Sequence, residues 1–582
     1  SNGELDTRFD FVAAGVTVKV HVLTFVSRTI PALALQEINI EVDKPCDLRV
    51  KAILDCTGIP GKEAFRAMLK TKADGAVLWE SNGGLCKIGA ALMAEFEGPD
   101  LKSIEKSDLG YEGSSPAKVF MIDAKPGHHY RIRQMGSLVP DVMHTEPHWQ
   151  AARMVEAGQW RGWENVREDN RKAWAELWKG RIKLIGADES WQDLTDAAFF
   201  YLHSSAHPSM PCSISPFGLS RRHAFYGHVF WDTDVFMFPP LLLTAPDSAR
   251  AILDYRWERM NAARRNAALH GYRGLMFPWE SGLSGGEVTP MSSTGWDEQH
   301  VSQDVAIACA QYANATGDDL FLHDQAWPVM KGVAEWIASR VTKTNRGYEI
   351  LHVTGIDEGI AKIDNNSFIN IISKIALRQV METAKQLGKT PPASWGEIER
   401  NLFIPIDAQN GHILKNDSYV YNGGLCCPEV LVAYFPFGYS HTPEVDAATY
   451  RYYLDLAHTF IGGAMLSPLC AVWAARNGDR KLSRQMLDSG IGSQLLKPFM
   501  IFTEHVGGND SVFLTNLSGY LMGLLYGLTG LSLDSPNPNE WCKHPVVMPE
   551  GWDGLEVDRI YVQSNPARLS AKHGDAKAKI EF

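Results

Sequence analysis

The chain has 582 residues, of which 45% are hydrophobic and 21% are charged, and this composition excludes a disordered or fibrous protein. Its formal net charge is -12 and no long cluster of Lys and Arg occurs, so nucleic acid is not expected as a partner. No run reaches the roughly 18 apolar residues that a membrane-spanning helix requires, so we expect no membrane partner either.

Residues 1–140 are predicted to form an N-terminal antiparallel β-sandwich. Runs such as "GVTVKVHVLTFVSR" and "LALQEINIEV" alternate apolar and polar residues, are rich in β-branched side chains and are separated by Gly and Pro. The period then changes to that of a helix, as in "EPHWQAARMVEAGQW". Residues 141–187 are therefore predicted to be a helical linker.

Residues 188–532 are predicted to form an all-α domain. About twelve helical segments follow one another there, and several are apolar on more than one face, which indicates burial between layers of helices. That number suits a toroid of paired helices. Residues 533–582 return to alternation in "GLEVDRIYVQSNPARLSAKHGDAKAKIEF" and are predicted to form a small C-terminal β domain.

The nine cysteines predict no metal site. Their number is odd and no Cys-x-x-Cys spacing occurs, so neither zinc nor any other metal or organic cofactor is implied. The cysteines leave the compartment open, and a periplasmic or secreted location is favoured over a cytoplasmic one. The opening "SNGELDTRFDF" shows no signal peptide, and its first two residues could be a cloning remnant that replaces a leader.

Three segments of the helical region carry a resemblance to a known family. They are "YGHVFWDTDVFMFPPLL" (226–242), "GLMFPWESGLSGGEVTP" (274–290) and "TGIDEGIAKIDNNSFIN" (354–370). In this order they resemble the Gly-His-x-Phe-Trp-Asp-Thr-Glu, Tyr-Pro-Trp-Glu-Ser and Gly-Pro-Asp-Glu-Tyr-His motifs of glycoside hydrolase family 65. The resemblance implies an (α/α)6 barrel between an N-terminal β-sandwich and a C-terminal β domain. It also implies cleavage of α-glucosidic bonds with inversion, by phosphate or by water.

The resemblance predicts two catalytic carboxyl groups. Inversion requires a protonated acid on the leaving oxygen and an opposed group that positions the nucleophile. The motif match makes Glu358 the general acid. The His that binds phosphate in the family's phosphorylases aligns with Phe513, which cannot donate a hydrogen bond, and Glu504 stands where the family's hydrolases have a general base.

Four further residues are predicted to bind the sugar. By the motif match, Trp231 and Asp232 hold the non-reducing glucose, and Trp279 and Glu280 form a second wall of the same pocket. For the two Trp residues, packing in a hydrophobic core is the alternative interpretation.

An Asn pair and two His residues complete the candidate site. Asn365 and Asn366 are predicted substrate-binding residues, although a role in bracing the acid loop is favoured for them over sugar contact. His228 and His300 are interpreted as core or supporting residues rather than catalytic ones.

One segment departs from the family pattern. Where the family has Lys-Gln-Ala-Asp, the chain has Cys426, Cys427 and, after a Pro, Glu429. Thiols are weak hydrogen-bonding groups, so either another element supplies the missing contacts or the sugar is not plain glucose. Ile356 and the Gly359–Ile360 pair also replace family residues beside the acid, which predicts a changed preference for the leaving group.

The sequence thus predicts an inverting O-glycosyl hydrolase of the α-glucosidase type. The expected substrate is a small oligosaccharide or glycoside, such as an α-1,2- or α,α-1,1-linked disaccharide or a glucosyl cap on a glycan. A phosphorylase of the same family and a sugar-binding protein without catalysis are the alternatives. Whether the protein is a homodimer is left open.

Overall fold

The structure is a computed structural model that describes residues 2–67, 71–98, 111–220, 224–360, 362–508 and 511–582. These residues fall into two compact units, Ser1–Trp178 and Lys179–Phe582. No described helix combines the length and apolar character needed to span a bilayer.

The first unit contains ten strands and two helices. The strands are β1 (Glu4–Ala13), β2 (Val16–Val26), β3 (Leu33–Val42), β4 (Cys46–Ile53), β5 (Lys62–Ala67), β6 (Gly75–Glu80), β7 (Lys87–Glu97), β8 (Tyr111–Glu112), β9 (Ser115–Ala124) and β10 (Tyr130–Pro140). They form a seven-stranded sheet of order β1-β2-β3-β10-β7-β6-β5 and a three-stranded sheet of order β4-β9-β8, with antiparallel pairing throughout. The helices are α1 (Pro147–Arg161) and α2 (Trp163–Leu177).

Both faces of the larger sheet are covered. On one face, apolar residues of β7 and β10 pack against β9 of the smaller sheet, where the rings of Phe96 and Phe120 stack with centroids 5.6 Å apart. On the other face lies α1, and its backbone at Pro147 is so close to Gly89 that a Cβ atom there would collide with it. The predicted antiparallel β-structure of the N-terminal region is therefore confirmed. The segment predicted as a linker, residues 141–187, is divided: α1 and α2 lie in the first unit, and its last residues lie in the second.

The second unit is mainly helical, as predicted. Its helices are α3 (Glu189–Ser205), α4 (Phe238–Thr244), α5 (Pro246–Glu258), α6 (Met260–Leu269), α7 (Val301–Thr316), α8 (Asp319–Phe321), α9 (Trp327–Arg340), α10 (Ser367–Gln386), α11 (Ala393–Asn401), α12 (Glu429–Tyr434), α13 (Pro443–Leu456), α14 (Ser467–Arg476), α15 (Arg480–Gly490) and α16 (Leu514–Met522). In α7 every residue except Gln311 and Asn314 is buried, which explains why its sequence lacks a clear polar face.

Short strands complete the second unit. They are β11 (Ile182–Ile185), β12 (Thr342–Thr344), β13 (Gly347–Glu349), β14 (Leu495–Leu496), β15 (Ile501–Phe502), β16 (Gly554–Val562), β17 (Asn565–Lys572) and β18 (Lys579–Glu581). The three C-terminal strands share one sheet with β11, in the order β11-β16-β17-β18. The C-terminal β structure is thereby joined by backbone hydrogen bonds to the strand that precedes the first helix of the unit.

Candidate active site

Glu358 lies at the tip of a loop between β13 and α10. The base of this loop is closed by two backbone hydrogen bonds between Val353 and Ile363, of 2.9 and 2.8 Å. At the tip, the amide of Ile360 donates to the carbonyl of Asp357 at 3.2 Å, which makes a tight turn around Glu358. Glu358 is an exposed residue as a whole, although its carboxyl group lies among enough protein atoms to lose part of its hydration. A closed base and an exposed tip suit a group that must reach into a cavity and meet a substrate.

A neighbouring segment, residues 294–298, supports the acid loop. The hydroxyl of Thr294 donates to the carbonyl of Glu358 at 2.7 Å, and the amide of Thr354 donates to the carbonyl of Asp297 at 3.0 Å. These bonds fix the loop at its start and at the acid itself. The same segment carries Glu298, whose negative charge raises the pKa of Glu358.

The surroundings of Glu358 favour its protonated form. Loss of hydration among the surrounding protein atoms is the largest cause, and the negative charges of Glu298, Asp232 and Glu504 add to it, so that the pKa of Glu358 is raised to about 8. His300 acts in the opposite direction with a positive charge. The carboxyl group can thus carry a proton at neutral pH, as a general acid must.

Trp231 and Asp232 are buried beside the acid. The Trp231 ring packs edge-on against His300 with centroids 4.7 Å apart, and one Asp232 oxygen accepts a 2.6 Å hydrogen bond from the hydroxyl of Thr515 in α16. Burial, followed by the charges of Glu504 and Glu298, raises the pKa of Asp232 to about 7 despite this bond. One π-helical turn, Thr233–Met237, follows Asp232 and leads into α4. Such turns are frequent at functional sites.

A buried charge network lies behind Trp231. His300 bonds through Nε2 to Glu298 and through Nδ1 to Asp304, both at 2.7 Å, and its side chain is inaccessible to solvent. Burial alone would lower the pKa of His300, but the two carboxylates raise it, so the ring is a cation. His300 is therefore a supporting residue, as the sequence suggested. Glu298 was missed in the sequence, because its role depends on Glu358, which lies 60 residues later in the chain.

Trp279 and Glu280 lie next to the Trp231 segment. Two backbone hydrogen bonds between Val229 and Ser281, of 3.0 and 2.8 Å, join the two segments. Both Trp279 and Glu280 are buried, and a Glu280 oxygen lies 2.6 Å from Nδ1 of His228. The two motif segments, in which Trp231 and Trp279 are 48 positions apart in the sequence, are thus adjacent in the fold.

The carboxylate of Glu287 fixes the Trp279 segment. It accepts hydrogen bonds from the backbone amides of Trp279, at 2.9 Å, and Glu280, at 3.3 Å. It also accepts one from the hydroxyl of Thr289 at 2.6 Å. Glu287 is therefore a supporting residue that the sequence analysis did not single out.

Glu504 reaches the same site from the other end of the chain. Its side chain is 16% exposed, and its charge contributes to the raised pKa values of both Glu358 and Asp232. Phe513 is buried, and its ring packs edge-on against Phe217 with centroids 5.0 Å apart. An apolar cluster therefore occupies the position that the resemblance assigns to a phosphate-binding His.

The Asn pair lies inside the protein, with neither side chain exposed to solvent. The Asn365 amide donates to Glu349 at 2.7 Å and to Asp417 at 2.8 Å. Asn366 caps α10 by accepting a 3.0 Å hydrogen bond from the amide of Ile369. Through these contacts the Asn pair supports the loop before α10 and the first turn of that helix. Sugar binding by the pair stays a prediction.

Cys426 and Cys427 are buried, and burial raises the pKa of both thiols, so they are neutral. Lys415, from the loop before them, brings a charge to the same place. Its Nζ atom binds the carboxylate of Asp357 and lies 3.8 Å from that of Glu429. Nothing in the surrounding segment "GHILKNDS" marked this lysine as a site residue.

Two domains of a known family match most of the chain. Residues 1–177 match the model of the glycosyl hydrolase family 65 N-terminal domain, and residues 197–425 match that of the family 65 central catalytic domain. The second range includes Glu358 and ends before Cys426 and Glu504.

Several relatives of known function are similar to the chain. A kojibiose hydrolase of Flavobacterium johnsoniae is 30% identical over 572 residues, which is 97% of this chain and 82% of that protein. A protein-glucosylgalactosylhydroxylysine glucosidase of Danio rerio is 32% identical over 63% of this chain and 58% of its own length. A kojibiose phosphorylase of Escherichia coli is 31% identical over 42% of this chain and 35% of its own length.

Among solved structures, a candidate kojibiose phosphorylase from the human microbiome shares the fold. The match has a TM-score of 0.80 at 15% sequence identity and covers 100% of this chain and 81% of that one.

Proposed function

The chain belongs to glycosyl hydrolase family 65 and is an O-glycosyl hydrolase, and we propose that it cleaves a small α-linked glucoside with water and with inversion. The relatives named above are hydrolases of α-glucosides or phosphorylases of the same family. An α-1,2-linked disaccharide such as kojibiose is the first substrate to test, because the relative that covers most of this chain is named for it.

The position of Glu358 carries this proposal: it lies at the tip of a loop fixed by hydrogen bonds, and lost hydration and nearby carboxylates raise the pKa of its carboxyl. A protonated acid at the tip of a fixed loop can donate its proton to the glycosidic oxygen as the C1–O bond breaks. Glu504 takes the proton of a water molecule that attacks C1 from the opposite face. The products are β-glucose and the free alcohol, and proton exchange with solvent restores both carboxyl groups. For this geometry, the two carboxyl carbons should lie about 6.5–9.5 Å apart.

The substrate-binding roles follow from the wall that the two motif segments form. Trp231 and Trp279 would stack on the sugar, and Asp232 and Glu280 would accept hydrogen bonds from its hydroxyl groups. The ionised carboxylates at the site also disfavour an anion there, because their charges repel phosphate.

The finer architecture is part of the proposal. We infer that the helices of the second unit form an (α/α)6 barrel of residues 188–532, which is supported by the helix succession and by the family match. In sequence, a β-sandwich of residues 1–140 and a linker of 141–187 would precede the barrel, and a β domain of 533–582 would follow it. A periplasmic or secreted location and a homodimer stay predictions, which cell fractionation and size-exclusion chromatography would test.

Product analysis tests the function. Kojibiose and a panel of other α-disaccharides would be incubated with and without phosphate, and the products followed by proton NMR. We expect β-glucose as the first product and no dependence on phosphate. Phosphate-dependent release of β-glucose 1-phosphate would instead establish a phosphorylase, and binding without turnover across the panel would establish a sugar-binding protein.

The matched variant is Glu358→Gln. It should lower kcat by about 10²–10⁴, the usual contribution of general acid catalysis, while the circular dichroism spectrum and the melting temperature stay unchanged. A loss of less than about tenfold would remove Glu358 from the acid role.

A further inference from the structure

We propose that Lys415 is a positioning residue that holds the general acid Glu358 in place through Asp357. The inference rests on the proposed function, since it presumes that Glu358 donates the proton.

Lys415 touches the segment of the acid at two places. Its ammonium group binds the carboxylate of Asp357, the residue immediately before the acid. Its backbone carbonyl accepts a 2.9 Å hydrogen bond from the amide of Ser367, the first residue of α10. One residue thus ties the tip of the acid loop to the start of the helix that follows it.

Because Lys415 is buried, its ammonium group depends on protein carboxylates such as that of Asp357 for its counter-charge. The Lys415 side chain is only 2% exposed, so its charge cannot be satisfied by bulk water and must meet protein carboxylates. The second carboxylate is that of Glu429, whose Oε1 atom is 3.8 Å away and whose Oε2 atom accepts a 3.3 Å bond from the amide of Asp357. Both the side chain and the backbone of Asp357 are therefore held by the Lys415–Glu429 pair.

Lys415 also lies near the unusual cysteines. Its Nζ atom lies 5.6 Å from the ring centroid of Tyr419, and the hydroxyl of Tyr419 lies 3.3 Å from Sγ of Cys426. A cation from an earlier loop thus stands beside two neutral thiols. The Lys415 ammonium group binds Asp357 of the acid loop, so we assign it a supporting role beside the acid.

Loss of the ammonium should damage proton donation more than binding. Without it, Glu429 is a buried carboxylate with no counter-charge and takes up a proton, and Asp357 loses its anchor. Glu358 then samples orientations away from the leaving oxygen. Substrates whose leaving group needs no proton should be affected little.

The test compares two substrates on the full chain. Lys415→Met should lower kcat for kojibiose by about 10–100-fold, part of the usual contribution of an acid, with KM changed less than about threefold. Hydrolysis of α-glucosyl fluoride, in which fluoride leaves as an anion, should change by less than about threefold. Lys415→Arg should recover part of the lost kcat. Lys343→Met, which breaks a 2.8 Å pair with Glu397 on the exposed surface, is the matched control and should match the unmodified protein.

A double-mutant cycle gives the second readout. Because Lys415 acts through Asp357, Asp357→Asn should also lose kcat on kojibiose while it keeps kcat on α-glucosyl fluoride. The double variant should have a kcat on kojibiose no lower than that of the less active single variant. If Lys415→Met does not fold, Asp357→Asn alone carries the test, since its side chain is 21% exposed.

Equal losses on both substrates, an effect on KM alone, or losses that multiply in the double variant would overturn the positioning role. If Glu358→Gln itself stays active on kojibiose, the acid role of Glu358 in the proposed function fails instead, which separates the two claims.

Discussion

The pH dependence of turnover tests the electrostatics of the acid most directly. With a pKa of about 8, about nine in ten molecules carry the Glu358 proton at pH 7, whereas at the ordinary value of 4.5 about one in 300 would. The raised pKa therefore increases the reactive form about 300-fold at neutral pH. Because the acid must be protonated, kcat should stay level up to about pH 8 and fall about tenfold for each further unit.

The variant Glu298→Gln tests whether nearby carboxylate charge raises the pKa of Glu358. The charge of Glu298 is the first of the carboxylate charges that raise the pKa of Glu358. Glutamine keeps an oxygen for the hydrogen bond to His300 and removes the charge. The pKa of Glu358 should fall, and the alkaline limb should move to lower pH.

The assay is single-turnover glucose release from kojibiose between pH 5 and 10, so that product release does not mask the chemical step. Glu397→Gln, the same substitution on the exposed Lys343 pair, should leave the profile in place. A wild-type alkaline limb centred below pH 6, or a limb that stays or rises in Glu298→Gln, would refute the reasoning.

Two further predictions concern the base and the core. Glu504→Gln should lower hydrolysis by about 10²–10⁴, and azide should restore turnover with a β-glucosyl azide as product, since azide needs no base; undiminished hydrolysis would exclude Glu504. Asp234→Ala should lower the free energy of unfolding by about 3–5 kcal/mol, because Arg256 is 1% exposed and would be left as an unpaired buried charge. Asp254→Ala, which removes one of the two partly exposed carboxylates that Arg250 contacts, should cost less than about 1 kcal/mol in the same urea titration, and equal losses would contradict the role of burial.

Local sequence patterns predicted the elements of the protein well. Alternation every second residue predicted the antiparallel N-terminal strands, because a strand with one buried face shows this period. Helical spacing predicted the central helices, including those with apolar residues on every face. The division of residues 141–187 between two units was not visible, since a strand such as Ile182–Ile185 finds its partner more than 360 residues away.

In the candidate site too, contacts between distant segments could not be predicted from the sequence. Glu358, Asp232, Trp231, Trp279 and Glu280 stand in motifs that can be read along the chain, because the residues of each motif are adjacent. Glu298 and Lys415 carry their roles only through neighbours from other segments, so no local pattern marks them.

The sequence by itself therefore determined the succession of strands and helices, the family and the motif residues that bear the chemistry. Only the tertiary structure decided the charge state of the acid, because a pKa depends on burial and on carboxylates that fold together from distant segments. It also placed a buried lysine from 11 residues before Cys426 near the two cysteines, which the sequence did not indicate. The residue types set which reactions are possible, whereas the fold sets the pKa values and the positions of the reacting groups.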